Sequence, residues 1–275
     1  MGHESSKNLV KLWKSRTIAG LELKRATLRN FAFGRHMDER FVVCLVQDGV
    51  EHFACRGSRY AAAPGDIVLY QPEDVHDGSS PDQKPWSYRC FYAAEPLVRG
   101  IVSGAATGGP APSFPDKVIR DRPLAAQWSA LHRRMEAGEN ALRDQAAFLR
   151  LLADLVDRHG QRRGARAPAP GGVDRGRLLR SRDFLEAYSD APVTLDQLAA
   201  LADLSPFHFL REFKRFFGMP PHQDQKQVQV RRAKDLLERG VPIAAAAVEA
   251  GFFDQSHLNR VFKSFTGLTP GQFRS

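Results

Sequence analysis

Arg211 with Lys214, and Arg260 with Lys263, form two basic pairs near the carboxyl end of this 275-residue sequence. A guanidinium presents a planar fork of donors, and residues three apart on a helix share a face. Such a face suits the phosphates and base edges of nucleic acid. The pairs belong to a repeat. Superimposing residues 205–223 on 254–272 matches His208 with His257, Arg211 with Arg260, Phe213 with Phe262, Lys214 with Lys263, Phe216 with Phe265, Gly218 with Gly267, Pro221 with Pro270 and Gln223 with Gln272.

A different chemistry is suggested near the amino end. In "LELKRATLRNF", Arg25 and Arg29 stand four apart. On a strand they point to one face and make an anion fork suited to phosphate or carboxylate.

The elements that must position the basic pairs are legible. Ser205, followed by Pro206, and Asp254 read as helix caps, and Gly218 and Gly267 as the residues past the helix ends. Between them the spacing predicts helices over 205–217 and 254–266. Phe209, Phe213 and Phe216 form the buried stripe of the first, and Leu258, Phe262 and Phe265 repeat it. The opposite face holds Phe207, Leu210, Arg211 and Lys214, replaced in the second copy by Ser256, Asn259, Arg260 and Lys263. A short helix precedes each copy, in "TLDQLAALADL" and "IAAAAVEAGFF", with Asp203 or Gly251 in the turn. Helix, tight turn and capped basic helix make a helix-turn-helix unit. Further helices are expected over 177–188, 194–202, 221–238 and 243–250, with a last turn after Pro270. Two units joined by the long helix 221–238 can enter major-groove segments roughly 34 Å apart.

The rest of the chain has another character. Residues 20–95 hold short apolar runs separated by turn signals, including Asp48-Gly49 as a hairpin signal and Pro64-Gly65. They predict a β-sandwich or small barrel. Over 122–159 the period becomes helical, with Leu124, Trp128, Leu131, Met135, Leu142, Phe148, Leu149, Leu152, Leu155 and Val156 in the stripe. That stripe either packs on the chain's own strands or forms a dimerisation face; the sequence leaves both open. "GQRRGARAPAPGGVDRGR" lacks apolar periodicity and reads as a flexible linker.

Lys and Arg total 40 against 31 Asp and Glu, a formal charge of +9, which favours polyanionic or acidic partners. Cys44, Cys55 and Cys90 have no metal-type spacing and read as unpaired buried thiols in a reducing cytosol. The amino terminus lacks a signal-peptide pattern and no apolar run is long enough to span a bilayer. The expected location is the cytoplasm, with no membrane association.

The last hundred residues resemble the DNA-binding domain of the AraC family of bacterial transcription regulators, whose signature "GFFDQSHLNRVFKSFTGLTPGQFR" matches closely. The resemblance implies double-stranded promoter DNA as partner, and RNA polymerase if the protein is an activator. It places specificity on Phe207, Leu210 and Arg211, then Gln255, Ser256, Asn259 and Arg260, with Lys214, Arg215 and Lys263 on phosphates. Leu210 stands where the family usually has a polar residue. Leu and Phe touch only thymine methyls and sugars, so the second unit is expected to carry more hydrogen-bonded readout, with Arg211 the exception in the first.

The strands resemble the same family's cupin-type sensor barrel, through "GRHMDERFVVCLVQDGVEHF" and "APGDIVLYQPEDVHDG". His36, Asp38, Glu39 and His76 fall where cupin enzymes place metal ligands. The pattern is eroded, so no metal and no other cofactor is expected. The effector is expected to contact Arg25, Arg29, His36, Asp38, His76 and an inward-facing Arg89. An anionic effector fits the arginines, and Arg-x-x-x-Arg resembles the phosphate grip of cyclic-di-GMP receptors.

The expected fold is α+β: a small cupin-like β-barrel over 1–121 with a helical appendage over 122–160, which is also the candidate surface for a homodimer. A linker over 161–176 and an all-α domain over 177–275 follow, the latter with two helix-turn-helix units joined by a long helix. The expected function is a ligand-responsive, sequence-specific transcription regulator and not an enzyme. The alternative is a metal-dependent cupin enzyme with a helical assembly domain.

Overall fold

Among the described residues, short apolar runs bounded by turns give the amino-terminal half nine strands before the first helix. They are β1 (Leu9–Lys14), β2 (Leu21–Leu28), β3 (Ala32–His36), β4 (Phe41–Asp48), β5 (Glu51–Cys55), β6 (Ser58–Ala62), β7 (Ile67–Tyr70), β8 (His76–Ser79) and β9 (Trp86–Ala93). Helix α1 (Glu95–Ser103), strands β10 (Pro112–Ser113) and β11 (Val118–Ile119), helices α2 (Arg122–Ala137) and α3 (Ala141–His159) and strand β12 (Gln161–Arg162) follow. The structure is a computed structural model and describes residues 8–80, 84–103, 111–138, 140–162, 175–191 and 193–274. Most of the expected linker, residues 163–174, lies outside the described residues. The chain separates into two compact units, Met1–Ala32 with Met37–Arg166, and Phe33–His36 with Ala167–Ser275.

In the first unit a six-stranded sheet runs β1-β2-β9-β4-β7-β11, and a second sheet carries β8-β5-β6. One face of the six-stranded sheet, with Leu23, Val43, Leu45, Leu69 and Phe91, packs on Leu124, Trp128, Leu131 and Met135 of α2 and Phe148, Leu152 and Leu155 of α3. Most of the helical stripe is therefore spent on the chain's own sheet, while Leu142 and Leu149 stay exposed. The other face carries Lys24, Ala26, Tyr70 and Tyr88 towards β5, where the Phe53 ring meets Tyr70 edge-on at 5.5 Å.

Two readings of this half are corrected. Asp48-Gly49 does not make a hairpin, because β4 is already flanked by β9 and β7 and β5 joins the other sheet. Gly49 (φ 73°) turns the chain between sheets, and a Cβ there would lie 2.4 Å from the Pro85 carbonyl oxygen. The hairpin joins β5 to β6 instead, through Arg56 and Gly57, both with positive φ (51° and 85°), as a type I′ turn needs. Cys44 and Cys90 are directly opposed in the β4–β9 ladder and are paired as a disulfide; only Cys55 is free.

The second unit holds α4 (Arg175–Ala187), α5 (Leu195–Leu201), α6 (Pro206–Phe217), α7 (Pro221–Glu238), α8 (Ile243–Glu249), α9 (Gln255–Thr266) and α10 (Pro270–Arg274). Phe209 and Phe213 of α6 are buried against Leu198, Ala199, Ala202 and Val228, and Leu258 and Phe262 of α9 against Val230, Ala233, Leu237 and Ala246. Phe216 is half-exposed beneath the Arg175 guanidinium, and Phe217 takes its place, its ring 4.4 Å from Phe213. Phe217 follows Phe213 by four residues, just over one turn, so the two rings meet on one face. No described helix is long and apolar enough to cross a membrane.

Candidate nucleic-acid interface and sensor interior

Each basic helix is held at both ends. Ser205 Oγ accepts the His208 N–H (3.4 Å) and Asp254 Oδ1 the His257 N–H (2.6 Å), while Gly218 and Gly267, both at φ 79°, close the far ends. Asp203 and Gly251 make the left-handed turns between helices (φ 56° and 88°). A Cβ on Gly251 would come within 2.7 Å of the Asp190 backbone, so the second turn requires glycine. Gln229 on α7 fastens that turn, donating to the carbonyls of Ser189 (2.8 Å) and Gly251 (3.1 Å). With caps, turns and aromatic stripes fixed, the remaining face of each helix is free to meet a ligand.

On α6 that face shows Phe207 at 78% exposure, a half-buried Leu210, and exposed Arg211, Lys214 and Arg215. Glu212, which sequence reasoning passed over, sits among them. It accepts two hydrogen bonds from Arg215 (2.9 and 2.5 Å) and lies 3.6 Å from the Arg211 Nε. The Arg215 hydrogen bonds hold its carboxyl below the usual range. Arg215 is thus engaged within the helix, whereas Lys214 has no ion-pair partner among the described residues. Glu212 stands one step after Arg211 and three before Arg215, and that spacing is the signal that could have found it. On α9, Gln255, Ser256, Arg260 and Lys263 are exposed and Asn259 is half-buried. Among the described residues Arg260 and Lys263 have no ion-pair partner, so this surface is the less encumbered of the two. His208 lies 3.9 Å from Glu212, and His257 packs edge-on against Phe252.

The three arginines of the expected sensor set stand apart from the rest, whereas Asp38 and His76 offer ligand atoms within 4.8 Å of each other. Arg25 and Arg89 are cross-strand neighbours on the sheet face turned to α2, where both reach Glu136 (3.3 and 2.6 Å). Arg89 also donates to His132, which burial holds neutral with its pKa down to about 4. Arg89 therefore pins α2 to the sheet instead of facing inward. Arg29 lies beyond the end of β2, its backbone N–H donating to Asn8 (2.7 Å), while Arg25 is drawn to Glu136. Asp38 lies 3.5 Å from Arg40. His76 is buried, stacks on Tyr70 with ring centroids 3.6 Å apart and contacts the Asp74 carbonyl; burial lowers its pKa. His36 contacts the Gly34 carbonyl at 2.8 Å and groups with the second unit.

The interior of the first unit holds polar groups that the sequence did not single out. Glu51 Oε2, Tyr70 Oη and Trp86 Nε1 are buried without a hydrogen-bond partner among the described residues. Desolvation raises the Glu51 pKa to about 7 despite the opposing charge of Lys24. The sign of the linkage follows: the folded protein holds a proton that the unfolded chain releases above pH about 4.5. Stability should fall as pH rises through the window from about 4.5 to 7, by about 3 kcal/mol. All 3 tryptophans, Trp13, Trp86 and Trp128, lie in the first unit, so their fluorescence reports its unfolding. The urea midpoint read this way is expected to drop between pH 5 and pH 8 in the natural protein. In Glu51→Gln the drop should be markedly smaller; equal drops would show that Glu51 is not protonated in the fold.

Two helix-turn-helix units on a chain that also carries a small sheet-rich sensor define the class: a transcription regulator with a ligand-binding domain. Residues 18–152 match the AraC-like ligand binding domain, and residues 198–275 a helix-turn-helix domain. An uncharacterized HTH-type transcriptional regulator of Bacillus subtilis, YbfI, is 32% identical over 226 residues, covering 82% of this chain and 81% of that one. The arabinose operon regulatory protein of Escherichia coli is 24% identical over 230 residues, 80% of this chain and 75% of that one. ToxT from Vibrio cholerae shares the fold with a TM-score of 0.56 at 10% identity, over 93% of this chain and 97% of that one. The chain belongs to the AraC family of transcription regulators.

Proposed function

We propose that this regulator reads DNA in sequence through α6 and α9 and that an effector bound inside the first unit controls it. The observation that carries the reading is the pair of capped helices, each burying an aromatic stripe and leaving an arginine, Arg211 or Arg260, exposed at the matching place. Arg211, Gln255, Ser256, Asn259 and Arg260 would contact base edges, Phe207 and Leu210 thymine methyls or sugars, and Lys214 and Lys263 phosphates. Arg215 would join them only by leaving Glu212. The test is selection of duplexes from a random pool by the full-length protein. Recovery of one shared sequence supports the reading; a pool without enrichment overturns it.

The unpartnered Glu51, Tyr70 and Trp86 atoms support the interior as the effector site, because a buried polar group without a partner costs roughly 1–3 kcal/mol that a ligand can recover. The buried Glu51 carboxyl and the buried Lys24 ammonium that opposes it favour a small neutral or zwitterionic molecule over an anion. Arg25 is held by Glu136 and Arg29 lies beyond the end of its strand, which weakens the case for a cyclic dinucleotide. Effector binding would shift the population competent to hold DNA. A panel of neutral, zwitterionic and anionic metabolites, scored by thermal shift, tests the preference: stabilisation by anions alone would reject it. Leu142 and Leu149, exposed and two turns apart on α3, would form a homodimer seam. Light scattering should report a dimer that Leu142→Glu with Leu149→Glu converts to monomer; a natural protein that is already monomeric would rule the seam out.

A further inference from the structure

The two helix-turn-helix units differ in length by one residue. The Leu204 N–H bonds the Ala199 carbonyl (3.0 Å) and the Phe252 N–H bonds the Ala247 carbonyl (2.9 Å), each just after a left-handed residue, Asp203 or Gly251. These bonds close the same turn, so Leu204 and Phe252 are equivalent. The capping side chains make Ser205 and Asp254 equivalent. In the first unit Leu204 runs directly into its cap. In the second, Phe253 stands between. It is an added residue in the turn that leads into α9.

The fold makes no use of the Phe253 ring. Leu204 and Phe252 both turn inward, Leu204 onto the first unit's apolar cluster and Phe252 to 3% exposure in the second. Phe253 is 89% exposed, more than any other large apolar side chain described. It precedes the cap of α9, whose first turn offers exposed Gln255 and Ser256. In helix-turn-helix docking the amino-terminal residues of the recognition helix reach base edges, so a side chain just before the cap lies at the rim of the groove. Asp254, the next residue, is turned to the helix, where it accepts the His257 N–H. In the major groove the apolar feature that distinguishes one base from the others is the thymine methyl, and phenylalanine is a side chain that packs on it.

We propose that Phe253 is a specificity-determining residue that packs on a thymine methyl at the edge of the segment read by α9. This rests on the DNA-binding reading above. The first unit, lacking the added residue, would have no counterpart at that rim.

The test uses the full-length protein and a duplex recovered by selection from a random pool. Each thymine in and beside the α9 footprint is replaced singly by deoxyuridine, which removes only the methyl. One replacement is expected to weaken the natural protein about threefold to tenfold. In Phe253→Ala the same replacement should have no effect, and the variant should bind the thymine duplex as the natural protein binds the deoxyuridine duplex. Phe253→Leu should recover part of the preference. The proposal is overturned if Phe253→Ala equals the natural protein on every duplex, or if every deoxyuridine effect persists in the variant. It is also overturned if Phe253→Ala binds DNA normally yet loses transcriptional output, which would make the ring a protein-docking feature. Failure of the natural protein to select any duplex would instead sink the DNA-binding reading, before a variant is made.

Discussion

Replacing Arg211 and Arg260 together by alanine is expected to abolish sequence preference while leaving the fold intact. Both side chains are exposed on capped helices whose stability rests on the opposite, aromatic faces. A bidentate arginine–base contact contributes about 1–3 kcal/mol of discrimination. Two contacts in separate grooves should add nearly independently, giving about 2–6 kcal/mol, or roughly 30-fold to more than 10⁴-fold, on the selected duplex. Loss on random-sequence DNA should be far smaller, because Lys214 and Lys263 remain for phosphates. The single variants should differ. Arg211 shares the Glu212 carboxylate with Arg215, whereas Arg260 has no ion-pair partner among the described residues, so Arg260→Ala should cost more. Competition binding at one fixed salt concentration reads all of this. Unchanged specificity in the double variant would show that the readout lies elsewhere.

Asp74→Ala is expected to produce the largest loss of stability in the first unit. Asp74 is fully buried and its carboxylate accepts from Lys117 Nζ (2.6 Å), the Gln71 N–H (2.9 Å) and Arg56 Nε. Lys117 is itself buried, at 2% exposure, so removing the carboxylate strands an ammonium inside the protein. Breaking one side of a buried pair costs about 3–5 kcal/mol, whereas replacing both by apolar groups is often neutral. Asp74→Ala with Lys117→Met should therefore regain most of what the single change loses, even though it alters more atoms. Urea unfolding followed by tryptophan fluorescence measures both. A double variant no more stable than Asp74→Ala would mean that the cost comes from the lost backbone hydrogen bond at Gln71 rather than from a stranded charge.

The carboxyl-terminal half was legible because its signals are local. A cap, a stripe and a terminal glycine lie within a few turns of one another, so α6 and α9 start and stop within a residue of expectation. Phe216 shows the resolution limit of such reasoning: one step along the helix decides between it and Phe217, and only the packing against Phe213 makes the choice. The amino-terminal half depends on pairing between distant strands. Asp48-Gly49 has the local chemistry of a hairpin, yet β4 had both edges taken by β7 and β9, and no window of sequence contains that fact. The same holds for the turn added at Phe253, which appears only when the hydrogen bonds of both units are laid side by side.

By itself, then, the sequence determined the class of protein, the two capped basic helices and which of their faces is apolar, since each follows from spacing along one helix. Tertiary structure alone decided which strand face is inside. It turned Arg25 and Arg89 towards Glu136 on the face covered by α2, and buried Glu51, Tyr70 and Trp86 elsewhere in the unit. The reason is that alternation along a strand names two faces but not which is covered; that is settled by the sheet or helices packed against each.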